Sequence, residues 1–173
     1  GNREPLILNH AGEVKIDKFD PSKIKGGFRG ELGYGYYFSG DDKYKDYGGE
    51  VTSLDASSLN LVDERDNFPD GLIDKLLEWS NGLPTTQLIG KKEISRDYID
   101  SLKKIIKEKP TISFGEARKE LNWKYPADRD ALWSEMMAAV GIDGMKAVSG
   151  GGMGDDSIRQ AVIYPQDKLN DLI

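Results

Sequence analysis

Apolar residues recur along this chain at two different spacings, and the change from one to the other divides it. Residues 5–10 read as a short buried strand, apolar at Leu6, Ile7 and Leu8, that delivers His10 at its end. Residues 14–19 alternate apolar and polar, as a half-buried strand does. The run Tyr36, Tyr37, Phe38 favours extended backbone, and 50–55 and 60–62 predict two further strands, the second one brief. From Leu72 the spacing turns helical. Leu72, Ile73, Leu76, Leu77 and Trp79 mark one helix, ended by Gly82, Leu83 and Pro84. Tyr98, Ile99, Leu102, Ile105 and Ile106 mark a second, with Ser95 in the N-cap position and Pro110 beyond its end. Ser113 and Glu116 stand at capping-box spacing ahead of Ala117 and Leu121. A fourth helix over 128–140 carries Leu132, Trp133, Met136, Met137 and Val140, with Gly141 placed as a left-handed cap. Residues 143–148 and 160–165 return to strand, and alternation puts Gln160 and Val162 on one face. Strands at both ends with helices between predict an α+β fold whose terminal strands come together. Trp79, Trp123, Trp133 and the Met136–Met137 pair are expected in the core, and the lysines at 103, 104, 107 and 109 on a solvated face.

Glycine and tyrosine alternate just before the aromatic strand, at Gly33, Tyr34, Gly35 and Tyr36. Glycines so spaced let a backbone approach a flat ligand closely, and tyrosines supply broad apolar faces with polar tips. Tyr47 follows ten residues after Tyr37, beyond a break at 40–43, so a short helix would return a second ring over the first. The pair then forms a slot for a planar group; the plain alternative is a Gly/Tyr-rich hairpin with half-buried rings. The loop 25–30 holds Lys25 and Arg29, a cationic pair able to meet phosphates or an ordinary solvated loop. A second glycine-rich loop, 149–156, ends in Asp155 and Asp156 and separates the last two strands.

Composition removes several chemistries. There is no cysteine, which excludes disulfides, thiolate catalysis and cysteine zinc sites, and the single histidine excludes a multi-histidine metal site. A net charge of −6 argues against broad nucleic-acid binding, leaving room only for a local basic groove. With 173 residues the chain predicts one domain, 1–173, able to bury a real core. No apolar run approaches the roughly 20 residues of a membrane span, and no leader is visible, so a cytoplasmic location is expected. Because the first residue is Gly1, the domain is expected to be excised from a longer protein.

Three pieces in order resemble the ADP-ribosyltransferase superfamily, in the branch of diphtheria toxin and the poly(ADP-ribose) polymerases. They are the strand ending His10, Ala11, Gly12; the block from Gly33 to Ser39 with Tyr47 beyond it; and the late strand from Gln160 to Tyr164. The segments 19–24 and 141–144, and the ending from Val162 to Leu169, are similar to the version found in polyvalent proteins of phages and mobile elements. The likeness covers roughly residues 5–55 and 128–172. It implies a split β-sheet core with a helical insertion at about 70–125, NAD as substrate, and no metal. It also implies that His10 contacts a ribose hydroxyl of the adenosine half, and that the backbone at Ala11 and Gly12 receives the nicotinamide carboxamide. Tyr37 and Tyr47 would stack on nicotinamide from its two sides, Arg29 would serve the dinucleotide, and Gln160 would take the catalytic place at the nicotinamide ribose.

The function so implied is mono-ADP-ribosyl transfer: NAD is cleaved and ADP-ribose passes to a macromolecular acceptor, a host protein, as in a phage or bacterial effector. Two departures from the family pattern stand out. Ala11 and Gly12 replace the usual Gly-Thr/Ser and lose a hydroxyl. Gln160 replaces the glutamate of the best catalysts and carries no charge to balance an oxocarbenium ion, unless Asp155 or Asp156 supplies it. The alternatives are a catalytically weak NAD- or ADP-ribose-binding module, and an interaction domain on the same scaffold that docks through the helices of 72–121.

Overall fold

A four-stranded sheet separates two hydrophobic clusters. The computed structural model describes residues 5–12, 18–20, 32, 34–40, 49–69, 71–83, 91–124, 129–148 and 158–172. Within them lie strands β1 (Ile7–Gly12), β2 (Tyr36–Phe38), β3 (Glu50–Asp55), β4 (Leu61–Asp63), β5 (Gly144–Val148) and β6 (Ile158–Ile163). The helices are α1 (Leu72–Asn81), α2 (Lys91–Glu108), α3 (Phe114–Lys124) and α4 (Arg129–Ala139), and a 3-10 helix, Asp167–Leu172, follows β6. This is the expected α+β architecture, with α1, α2 and α3 between β4 and α4.

Strands β2, β6, β5 and β4 form the larger sheet in that order, with β4 parallel to β5 and the other pairs antiparallel. Strands β1 and β3 form a separate antiparallel pair. Alternation explains the two clusters. On β2, Tyr37 faces the helical cluster while Tyr36 and Phe38 face the other; on β6, Val162 and Ile163 divide likewise. The helical cluster joins Met145, Ala147 and Val162 to Leu76, Tyr98, Leu102, Phe114, Leu121 and Trp133. The second cluster joins Phe38, Ala161 and Ile163 to Leu8 of β1 and Leu54 of β3. A sheet covered on both faces needs continuous apolar character, which the β6 run Ala161, Val162, Ile163 supplies, each residue 0 % exposed.

The helix punctuation has identifiable causes. The Ser113 hydroxyl accepts the Glu116 N–H at 3.2 Å, the N-cap bond expected from their spacing. At the end of α4 the Ile142 N–H donates to the Met137 carbonyl at 2.9 Å and the Gly141 N–H to Ala138 at 3.2 Å, a Schellman closure. Gly141 sits there at φ 90°, the left-handed conformation such a closure requires. Asp143, 4 % exposed, then ties three segments together. Its carboxylate accepts the Asn60 N–H at 2.8 Å and pairs with Lys168 at 2.7 Å, while its carbonyl accepts the Tyr164 N–H at 2.9 Å. Asp143→Ala is expected to lower stability by about 2–3 kcal/mol, because a buried N–H loses a charged acceptor. Urea unfolding against the parent measures it; a loss under half a kilocalorie would show that this carboxylate fastens nothing.

Several expectations need correction. Trp123 is 92 % exposed, not core, whereas Trp133, Met136 and Met137 are fully buried and Trp79 packs half-buried against the cluster. Trp133 satisfies its ring N–H on the Tyr164 hydroxyl at 3.2 Å. Ser95 is no N-cap: α2 begins at Lys91, so Ser95 lies inside it, fully buried and, among the described residues, with no hydrogen-bond partner for its hydroxyl. The first strand starts at Ile7 and runs on to Gly12, which puts His10 within it and not at its end. The last strand begins at Ile158, two residues ahead of Gln160. Of the strand expected over 14–19, Lys18 and Phe19 are described and lie outside any strand; the rest falls outside the described residues.

Candidate functional site

His10 lies opposite Thr52 in the β1–β3 pair, and alternation turns it to the same face as the buried Leu8. That face meets β2. The main chains of β1 and β2 touch at one bridge, where Asn9 and Ser39 exchange N–H···O bonds of 2.8 and 2.7 Å. Beside it the His10 ring Nδ1 lies 3.0 Å from the Tyr37 carbonyl oxygen. A carbonyl only accepts, so Nδ1 carries the hydrogen and donates it. In the neutral ring Nε2 is then an acceptor, suited to a hydroxyl. The ring also contacts Phe38, centroids 5.9 Å apart, so the imidazole is held by a strand backbone and by an aromatic neighbour.

Tyr37 is fixed from the other side. It pairs with Val162 of β6, and its half-buried ring packs against the helical cluster. Its hydroxyl accepts the Leu32 N–H at 3.2 Å, and Leu32 is itself fully buried. The turn between them presses on the sheet. A Cβ on Gly35 would lie 2.6 Å from both the Ile163 carbonyl oxygen and the Val162 side chain, so only glycine lets the backbone come this close. Ser134 of α4 donates its hydroxyl hydrogen to the Tyr34 carbonyl at 2.6 Å and holds the same turn from above.

Tyr36, facing the second cluster, stacks obliquely on Phe19 with centroids 4.8 Å apart. Burial, and then the neighbouring Tyr34 and Asp20, push its phenol up from 10.0 to about 12. Well below pH 10 the phenol is protonated in folded and unfolded chains alike. Between about 10 and 12 the unfolded chain releases a proton that the folded one keeps, so stability falls as pH rises through that window. Tyr36→Phe is expected to flatten this alkaline slope relative to the parent in urea midpoints measured from pH 9 to 12, and equal slopes would refute the assignment.

Gln160 pairs with Ala147 of β5 and is half-buried. Next to it the strand is irregular. Ala147 and Val148 are consecutive on β5, yet their partners on β6 are Gln160 and Ile158, so Arg159 is an extra residue. The β2 side shows the same slip. Phe38 pairs with Ala161, but the Gly40 N–H donates to Ile158 at 3.0 Å while the Ser39 hydroxyl donates to the Arg159 carbonyl at 3.3 Å.

The structure thus brings the β1 segment with His10, Ala11 and Gly12, the Tyr37 strand and the Gln160 strand into lateral succession. Ala11 faces Val51 and Gly12 faces Glu50 in the β1–β3 register. Tyr47, Arg29, Lys25, Asp155 and Asp156 lie outside the described residues. The bulge at Arg159 escaped sequence reasoning and shows in the burial pattern of β6. Ile158 and Ala161 both enter the second cluster while standing three apart, which a strict period of two forbids.

Other charged groups have structural work. At the end of β4, on the opposite edge of the sheet, Asp63 takes a forked contact from Arg65 at 3.0 and 2.8 Å, which holds its carboxyl below the usual range. Among the described residues no group of three or more His, Asp or Glu side chains is arranged to hold a metal ion, and no helix is long and apolar enough to cross a membrane. No protein-family model, curated protein or solved structure significantly matches this chain.

Proposed function

We propose that the chain is an NAD-dependent mono-ADP-ribosyltransferase on the split-sheet fold of that superfamily. One observation carries the reading. The three segments that bear the resemblance run side by side, with His10 bonded to the Tyr37 carbonyl and Tyr37 paired to Val162, two residues from Gln160. Such segments are far apart in sequence; here their strands adjoin, with Tyr37 on the helical face of the sheet and the His10 ring beside Phe38 on the other side.

In this reading the His10 Nε2 accepts a hydrogen bond from a ribose hydroxyl of the adenosine half, and the backbone at Ala11 takes the carboxamide. Tyr37, anchored at its hydroxyl by Leu32, offers a preorganised ring for nicotinamide. Gln160 takes a 2′-hydroxyl hydrogen bond at the nicotinamide ribose. The C1′–N bond breaks, nicotinamide leaves with the electron pair as a neutral molecule, and positive charge spreads over C1′ and the ring oxygen. A nucleophile on a protein acceptor closes on C1′ and gives its proton to solvent or a nearby base. Holding the dinucleotide bent toward that geometry is the main task of the site.

Nicotinamide release from NAD by the purified chain, followed by chromatography, tests this. Release above the buffer rate is expected, with a fall of at least tenfold in Tyr37→Ala, since ring stacking and orientation are both lost. A second reading, an NAD- or ADP-ribose-binding module that barely turns over, is favoured by the neutral side chain at Gln160. It predicts calorimetric binding of NAD without release. An absence of any NAD binding, with Tyr37→Ala unchanged, would leave only a docking role for the helices.

A further inference from the structure

Burial fades along one face of the β1–β3 ribbon. In its antiparallel register Leu8 stands opposite Leu54, His10 opposite Thr52, and Gly12 opposite Glu50. Residues directly opposite share a face, and so do residues two apart, so these six positions line one side of the ribbon. Leu8 and Leu54 are 0 % and 1 % exposed in the second cluster, His10 is half-buried, and Glu50 is exposed where the ribbon ends. Glu50 is thus a diagonal neighbour of His10, a relation that sets two residues about 7–8 Å apart in an antiparallel pair. The position directly opposite Glu50 is a glycine, so no side chain of β1 stands between the carboxylate and the imidazole.

We infer that Glu50 is a substrate-binding residue that, together with His10, holds the 2′,3′-diol of the adenosine ribose and makes the site select NAD over NADP; this rests on the NAD-cleaving reading above. His10 uses its Nδ1 hydrogen on the Tyr37 carbonyl, which leaves Nε2 as an acceptor. A carboxylate is likewise an acceptor only. Two acceptors side by side at the exposed end of the ribbon suit two hydroxyl donors on adjacent carbons, and an unsubstituted ribose offers such a pair. Carboxylates take the ribose 2′-hydroxyl in the same way in dinucleotide sites of another fold. NADP carries a phosphate on that 2′-oxygen. The phosphate replaces the hydroxyl donor and brings negative charge against Glu50, in a chain whose net charge is already −6.

Calorimetric titration of NAD and of NADP into the parent, Glu50→Gln and Glu50→Lys tests the assignment, with melting temperatures as the check on folding. The parent is expected to bind NADP at least about tenfold more weakly than NAD. Glu50→Gln keeps the shape of the side chain, so it should keep the melting temperature, weaken NAD roughly tenfold as a charged acceptor is lost, and narrow the gap between the two ligands. Glu50→Lys should reverse the preference, because the ammonium then pairs with the 2′-phosphate. A parent that binds NAD and NADP equally overturns the inference, and so does a Glu50→Gln form that keeps the parent's ratio of affinities. A lowered melting temperature in both variants, with equal loss of the two ligands, would make Glu50 structural and equally overturn it. A parent that binds neither ligand removes the NAD-cleaving reading and the inference together, whereas NAD binding that is indifferent to residue 50 removes the inference alone.

Discussion

On the NAD-cleaving reading, Gln160→Glu is expected to accelerate nicotinamide release from NAD by roughly 30- to 800-fold, the effect of about 2–4 kcal/mol taken off the barrier. The two side chains are nearly the same shape, and residue 160 is half-buried in a strand paired on both sides, so the fold has no reason to respond. What changes is the charge beside a ribose that becomes cationic as the bond breaks. A carboxylate attracts that charge in the transition state and has much less to attract in the ground state, so the gain belongs in kcat more than in KM. Rates at saturating NAD, with affinity measured separately, decide the matter. No acceleration at preserved affinity would remove Gln160 from the catalytic place. A silent parent beside an active glutamate form would establish the binding-module reading for the natural chain.

Gly144→Ala is expected to be severely damaging, costing at least about 3 kcal/mol. Gly144 opens β5 between β4 and β6, where a Cβ would be driven into the Val162 carbonyl oxygen and would lie 2.8 Å from a Leu61 methyl. The carbonyl belongs to a sheet held on both faces and has nowhere to go. Three residues earlier, Gly141→Ala should cost only about 1–2 kcal/mol, for a different reason. Nothing lies within 4 Å of a Cβ there, and the penalty is solely that of placing alanine at φ 90°. Urea midpoints of the two variants side by side separate steric exclusion from backbone conformation. Equal losses would mean that the sheet yields at Gly144.

The segment 141–144 shows how far a sequence can be read. The resemblance marked it as a flank of a functional fold. The structure explains each position locally: a left-handed cap at Gly141, a buried staple at Asp143, and a gap too small for a methyl group at Gly144. Helices were legible because apolar period, Ser113 and Gly141 agreed with one another. Ser95 was misplaced because a serine before an apolar stripe imitates a cap, whereas here it fills a buried position one turn into α2. At Trp123 residue type prevailed over position. Phe114, Ala117, Arg118 and Leu121 define the buried side of α3, and a residue two beyond Leu121 falls about 200° around the helix. The candidate site was legible only as three separated segments. Pairing of β2 with β6, and the bridge from β1 to β2, depend on contacts between residues far apart in the chain, which no local period encodes. Nor does any residue type announce an inserted position such as Arg159.

The three tryptophans report on three environments, and this gives the protein an optical handle on its own folding. Trp133 is fully buried and hydrogen-bonded to Tyr164, Trp79 is half-buried against the helical cluster, and Trp123 is 92 % exposed. Native fluorescence will therefore be a composite: iodide will extinguish its red component while leaving the blue one. Denaturant will shift only the latter, so Trp123→Phe gives a chain whose emission reads core melting without background.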